Sequence, residues 1–582
     1  DSQMGTTPQG NSSFANIDFE IINRSANPVV VDGTTYAVGD VIMTITTDES
    51  GHASTGSEAL PYGTYEVKES QTNESMLLTW TGETVTVRQQ GHSVAITAVD
   101  EVERGGLSVE KQDTITGSTP QGDADFEGIT FQIINNSRNP VIVEGEKYQP
   151  GEVVKTLVTD SEGKASTADD LLPYGEYILH ESATNESMLL TAPDQTVQVE
   201  DDGVIYEFTV ADEVVRGGVL IEKRDLESGL LTPLGGASLD GTLFEITNKS
   251  INAVYVGGAL YEPGKVCATI EVVDGIAQTD ARALPYGTYQ MVESKPGEGY
   301  LHTDQIVRSF QIRKDGEIIE FRDGDAAYNQ VVRGDLQFVK VGEGGETNME
   351  RFANVAFKLT SETTGESHIV VTDENGEVRT VSDWNPHSQN TNGNDGVEDE
   401  SAWDDHNGTW FGLTTEGWIV DVQDSLCALP FDTYTLEELR CEGNQGYELV
   451  KVSGIKISRN NTTIYLGTLD DQFEGVPEIG TTATVDGQHT AEPAGEVTIV
   501  DTVTYKNLKV GQTYKVSGVL MDKSTGEPLL MGEQQITAEL EFTPTSSEGT
   551  VELTYTFDAS ALADKAVVVF EDLYQGENVV AS

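Results

Sequence analysis

The chain repeats itself at long range, and that constrains its fold more than any other feature. "NESMLLT" stands at 73–79 and again at 185–191, "LPYG" at 60, 172 and 284, and "VVRG" at 214 and 331, the first shift being 112 residues. A period of that size is a domain-sized unit, so the chain is a row of similar domains, each closing its own core. Glycines 105 and 106, 217 and 218, and Gly334 mark where one copy gives way to the next. "DSQMGTTPQG" at 1–10 aligns with "DTITGSTPQG" at 113–122, so the sequence starts inside a repeat. The units are 1–105, 106–217, 218–334, a longer fourth from 335 to 475, and a different fifth from 476 to 582.

Within each copy, short segments of alternating polarity such as "FEII", "TYEVKE" and "VAITAV" are separated by turn signals such as "DESG", "DSEG" and "DENG". No long 3.6-residue pattern competes. The fold class is all-β: tandem immunoglobulin-like β-sandwiches in an elongated rod. Asp373, Asn375 and Gly376 read as turn formers rather than calcium ligands, because no twelve-residue loop follows.

Composition narrows function mainly by exclusion. The 582 residues carry 34 Lys and Arg against 98 Asp and Glu, a formal charge of −64, which disfavours nucleic acid and an anionic membrane surface. No apolar run is long enough to span a bilayer. Three cysteines, Cys267, Cys427 and Cys441, are too few for a disulfide scaffold; Cys427 and Cys441 are open to pairing or to remaining free. The eight histidines lack metal spacing, and neither a GxSxG elbow nor a phosphate-binding glycine loop occurs. No metal, no cofactor and no conventional enzyme activity are expected.

The informative anomaly lies in strand parity. Counting by twos through "GGLSVEKQD" puts Lys111 on the apolar side with Leu107 and Val109. Lys223 follows Val219 and Ile221 in the same way, and Lys340 follows Leu336 and Phe338. After each "LP" turn a glutamate repeats the anomaly four residues beyond a tyrosine: Tyr65 and Glu69, Tyr177 and Glu181, Tyr289 and Glu293, Tyr434 and Glu438. The last strand of each copy adds Asp100, Asp212, Asn329 and Asp470. In the fourth copy parity favours Asp470, while a one-residue bulge would favour Asp471.

Buried charges are costly unless paired, and two readings of the pattern stay open. One is a hydrogen-bonded Lys–Glu–Asp cluster, or strand-end side chains that reach out to water. The other is a covalent bond: desolvation lowers a lysine pKa and raises a glutamate pKa. The amine then attacks the Asn or Asp side chain while the glutamate shuttles protons, releasing ammonia or water.

These residues carry a resemblance. The opening strands with Lys111, Lys223 and Lys340, the "LPYGTYEVKES" type of segment and the closing "ADEVVRGG" and "YNQVVRGD" strands resemble Cna protein B-type domains. These are also called SpaA-type prealbumin-like domains, of pilins and wall-anchored proteins of Gram-positive bacteria. The resemblance implies isopeptide bonds Lys111–Asp212, Lys223–Asn329 and Lys340–Asp470 (or Asp471), with Glu181, Glu293 and Glu438 as catalytic acids. The first unit has Glu69 and Asp100, but the shift puts its lysine two positions ahead of Asp1. The fourth unit carries a polar insertion, "VSDWNPHSQNTNGNDGVEDESAWDDHNGTWFG", a candidate contact surface.

The fifth unit, with "PEIGTTATVDG", "VTIVDTVTYKNLKVGQTYKVSGVLMDKSTGEPL" and "KAVVVFEDLY", is similar to the VaFE repeat, whose family chemistry is a Thr–Gln ester. That likeness implies Thr481 as nucleophile, with Thr482 as fallback and Asp501 and Glu571 as acidic helpers; the sequence stops before the Gln. The functional expectation is an extracellular, self-crosslinked stalk of a cell-wall surface protein, attached to peptidoglycan through a C-terminal region outside this sequence. The alternative is a binding module whose duplicated "TNESM" loops meet host matrix or glycans.

Overall fold

The computed structural model describes all residues except 303–305, 344–348, 398, 473–474, 493–494, 510 and 564. It is all-β, with short 3₁₀ turns as the helical content among the described residues. The chain divides into two compact units: one of Asp1–Arg224, Leu239–Gly297 and His302–Tyr328, the other of Asp225–Ser238, Glu298–Leu301 and Asn329–Ser582.

The second repeat shows the plan of the first unit. One sheet runs Val153–Val158, Thr130–Asn135, Gly175–Ala183, Gln195–Val199, all antiparallel. The facing sheet is built on Arg104–Asp113, with Lys164–Ser166 and Leu172–Pro173 beside it and Ile205–Asp212 lying parallel to it. Alternation then fills the space between the sheets: Leu107, Val109, Phe131, Ile133, Tyr177 and Leu179 form one apolar cluster. The third repeat follows the same plan around Arg216–Asp225.

The first repeat departs from the expectation at its end. Its sheet Val41–Thr46, Asp18–Asn23, Gly63–Gln71, Glu83–Val87 forms, but "VAITAV" at 94–99 carries no strand. In the second repeat the closing strand finds its backbone partners on the opening strand. Parity survives nonetheless, with Ile96 and Ala98 half-buried and Asp100 buried.

"LPYGTY" has a structural reason. Tyr65, Tyr177, Tyr289 and Tyr434 are fully buried, and a buried phenol needs a hydrogen-bond partner. Each hydroxyl donates to the carbonyl of the proline four residues back, Pro61, Pro173, Pro285 and Pro430, at 2.7–2.9 Å. This fixes the turn and so the register of the strand that carries the glutamate.

"TPQG" forms joints between neighbouring sandwiches of the first unit. The Gln9 carboxamide accepts from Ile142 N–H, and Asn11 N–H donates to Tyr174 C=O. At the next joint Gln121 accepts from Tyr255 N–H, and Asp123 N–H donates to Tyr286 C=O. Gly10 and Gly122 have φ of +57° and +61°, and a Cβ there would lie 2.2 Å from the Tyr174 and Tyr286 carbonyl oxygens. Glycine is therefore required on both grounds. Arg104 and Arg216 complete the joints, donating to carbonyl oxygens and to Gln3 and Gln121.

In the second unit the fourth repeat pairs Arg333–Glu343 with a parallel Thr462–Asp471, facing the sheet Ser367–Val371, Ala356–Ser361, Asp432–Glu438, Lys451–Ile457. The C-terminal end of the insertion packs into the sandwich. Trp410 and Phe411 are buried, Trp410 stacks 3.9 Å from the Arg333 guanidinium, and Arg333 pairs with buried Glu227 at 2.8 Å. His368 anchors the insertion between Asp395 and Glu366, at 2.7 and 3.1 Å. No disulfide joins Cys267, Cys427 and Cys441. The fifth repeat packs Glu478–Thr484, Glu496–Lys506 and Gly549–Asp558 against a sheet built on Tyr514–Asp522 and Val567–Gln575.

Candidate crosslinking sites

In the second sandwich, Lys111 and Asp212 come from neighbouring parallel strands of one sheet and Glu181 from the sheet opposite. Lys111 Nζ lies 2.6 Å from Glu181 Oε2 and 2.7 Å from Asp212 Oδ2. Lys111 and Asp212 have no exposed surface and Glu181 has 5%. Phe131 lies under the ammonium, its ring centroid 5.9 Å away.

Burial pushes the Glu181 carboxyl up to about 7, against the pull of Lys111 and with a further push from Asp212. Asp212 moves the other way: burial raises it, but hydrogen bonds from Lys111 and from the Thr191 backbone outweigh burial and hold it below the ordinary value. The same site thus drives its two carboxyls in opposite directions, Glu181 up and Asp212 down.

The fourth sandwich repeats the arrangement with one correction. Asp470, favoured by parity, is exposed, and Asp471 is buried against Lys340. Between Tyr465 and Thr468 the closing strand spends one more residue than its partner does between Gln337 and Val339. Gly467, at φ +78°, sits in that bulge, and every later side chain changes face. Lys340 Nζ is 3.2 Å from Glu438 Oε2. Glu438 is held by Asn444 and by Val450 N–H, each at 2.9 Å. Burial, together with Glu438, raises the Asp471 carboxyl to about 7.

In the third repeat, Lys223 is fully buried, 3.9 Å from Glu293 Oε2 and 3.4 Å from the Ala327 carbonyl; Asn329 is buried. The first repeat keeps Glu69 and Asp100 buried. With no cation acting on it among the described residues, Glu69 is pushed up to about 8 by burial and then by Asp100.

In the fifth repeat, Thr481 Oγ1 contacts Asp501 and lies 3.3 Å from Glu571 Oε1. Thr481 and Asp501 stand on one sheet and Glu571 on the other. Thr481, rather than the fallback Thr482, is the residue brought to both acids. Burial, with Asp501 adding to it, raises Glu571 to about 9. Sequence reasoning missed Tyr555, buried near both acids and raised by burial and by their charges; "VELTYTF" marks only an inward position.

The duplicated "TNESM" loops turn inward. Asn73 binds the Ser13 and Ala15 carbonyls, both at 2.8 Å, and Asn185 binds those of Asp125 and Glu127, at 3.0 and 3.1 Å. Ser75, Ser187, Met76 and Met188 are buried. Scaffold contacts account for the repeated Asn, Ser and Met, while Glu74 stays exposed.

Family models match three stretches of the chain: a prealbumin-like fold domain (SpaA) at residues 6–102 and 107–214, and a T-Q ester bond containing domain at 477–582. No curated protein matches. Among solved structures, the Bacillus anthracis TIE protein is 17% identical, covering 81% of this chain and 73% of that one, with a TM-score of 0.38. BcpA, the major pilin subunit of Bacillus cereus, is 12% identical over 64% of this chain and 100% of its own, with a TM-score of 0.22. A Mobiluncus mulieris adhesin containing intramolecular disulfide, isopeptide and ester bond cross-links is 22% identical over 19% of this chain and 50% of its own, with a TM-score of 0.15. Likeness at this level identifies no function. Among the described residues no helix is long and apolar enough to cross a membrane.

Proposed function

We propose that this chain, which carries prealbumin-like domains and a T-Q ester bond containing domain, is a stalk segment of a Gram-positive cell-surface protein, adhesin or pilin-like. Its sandwiches are locked by self-formed amide bonds Lys111–Asp212, Lys223–Asn329 and Lys340–Asp471. The observation that carries the reading is the Lys111 ammonium, without exposed surface and within 2.7 Å of both carboxyls. Packing supplies the proximity that an external catalyst would otherwise provide.

Lys111 passes two protons to Glu181, one before and one after its nitrogen bonds to the Asp212 carboxyl carbon, and Glu181 relays both in turn to the departing Oδ2, which leaves as water. At Asn329 the leaving group is ammonia. The chemistry happens once per site, so the protein is not an enzyme. Thr481, Asp501 and Glu571 form the nucleophile side of a Thr–Gln ester. Such a stalk acts outside the cell, where its charge of −64 keeps neighbouring chains apart. Tryptic mapping tests the bond: a branched peptide joining Lys111 to Asp212 is expected in the wild type and not in Glu181→Ala. A wild type giving only linear peptides refutes it.

A polar groove of about 700 Å³ between the first two sandwiches, lined by Asn11, Asn16, Glu74, Asn136, Arg138 and Gln198 among others, favours a second reading, glycan binding by the stalk. Glycan-array binding lost on Glu74→Ala and Arg138→Ala would support it; an array without signal removes it.

A further inference from the structure

"NESMLLT" ends both times in a threonine with the same contacts. In the second sandwich, Asp212 Oδ1 accepts from Thr191 N–H at 2.9 Å, Thr191 Oγ1–H at 2.9 Å and Ala192 N–H at 2.7 Å. In the first, Asp100 Oδ1 accepts from Thr79 N–H at 3.1 Å, Thr79 Oγ1–H at 3.2 Å and Trp80 N–H at 2.8 Å. No lysine stands among the groups acting on Glu69 beside Asp100, so three donors on one oxygen do not depend on the lysine. They are built by the loop, which Asn185 and Ser187 pin to the chain at Asp125.

We propose that the Thr191 hydroxyl and the Thr191 and Ala192 amides are an oxyanion cradle for amide-bond formation, deciding which Asp212 oxygen is kept. The inference rests on the bond-forming reading above. The two oxygens of Asp212 are not equivalent: Oδ1 faces three fixed donors, and Oδ2 faces Lys111. With the donors crowding Oδ1, an incoming proton is directed to Oδ2.

When Lys111 nitrogen bonds to the Asp212 carbon, the C=O π pair moves onto Oδ1. There it becomes a full negative charge, where the carboxylate held half of one. Donors aimed at an oxygen whose charge grows in the transition state speed the reaction, and fixed backbone donors need no reorganisation. The tetrahedral carbon then expels protonated Oδ2 as water, with Glu181 moving the protons, and Oδ1 becomes the amide oxygen. Lys–NH₃⁺ plus carboxylate yields amide plus one water, and no other reactant is needed. The cradle also accounts for the repeated threonine, which the lysine, glutamate and aspartate alone leave without a role.

The test follows bond formation in the full chain made by cell-free synthesis, quenched at intervals and mapped for the Lys111–Asp212 branched peptide, with the Lys340–Asp471 peptide as internal reference. Thr191→Val keeps shape and removes one donor; formation is expected to slow at least about 10-fold, toward the 10²–10³ seen when an oxyanion donor is lost. The reference bond keeps its rate, and Thr191→Ser restores formation to within a few-fold. Wild-type rates in Thr191→Val overturn the cradle while leaving the bond intact, whereas a wild type that never forms the branch overturns the bond itself. Should hydrogen exchange show the second sandwich of Thr191→Val unfolded, Ala192→Pro, which removes one amide ahead of Pro193, decides: slowed formation supports the cradle and an unchanged rate overturns it.

Discussion

At the residue scale, what distinguishes the acids is whether a cation shares their burial. Glu181 faces Lys111 and reaches only about 7; Glu69, without a cation, reaches about 8. A carboxyl whose folded pKa lies above its unfolded value near 4.5 binds more protons in the folded state between those pH values. The stability it contributes is therefore full below about 4.5 and is lost as pH rises through about 8, by at most about 1.4 kcal/mol per pH unit. Hydrogen exchange of strand Gly63–Gln71 in the full chain is expected to quicken from pH 5 to pH 8 beyond the intrinsic rate change, and Glu69→Gln to flatten that trend. Equal protection of both proteins across the range would show that Glu69 is ionised in the fold.

At the element scale, parity made most of the candidate site legible: a lysine on the apolar side and a glutamate four residues beyond a tyrosine are visible to anyone counting by twos. Asp470 was misplaced because the parity change comes from one glycine, Gly467, whose bulge has no mark beyond glycine itself. Asp471→Ala is expected to abolish the fourth-sandwich bond and Asp470→Ala to keep it, as read by the Lys340 branched peptide. The donors on Asp212 were illegible because two of them are backbone amides, which any residue offers. The Trp410 position was illegible too, since a polar insertion gives no sign that its aromatic end returns to an arginine. The proposed amide between the parallel opening and closing strands would close about 100 residues and constrain the unfolded chain by roughly 4–5 kcal/mol. Glu181→Ala is accordingly expected to lower the denaturant midpoint of the second sandwich, followed by hydrogen exchange at Leu179, and to leave the fourth unchanged. An unaltered midpoint contradicts the bond.

At the scale of the whole molecule, the repeat that announced separate domains also supplies what joins them within the first unit. Tandem domains move relative to one another unless their interface holds them. Here backbone hydrogen bonds, a glutamine and an arginine recur at both joints. Gly122→Val places a side chain against the Tyr286 carbonyl in a backbone region it avoids. Dye pairs on the second and third sandwiches should then report a broader distance distribution by single-molecule transfer, with each sandwich still folded; an unchanged distribution would show that the joint does not limit their motion. Everything else depends on whether the buried lysines are ionic partners or covalent ones, and the mass of the purified chain separates the two. The amide account expects a mass below that of the sequence by two waters, at Lys111–Asp212 and Lys340–Asp471, and one ammonia, at Lys223–Asn329. A mass equal to the plain sequence would contradict it.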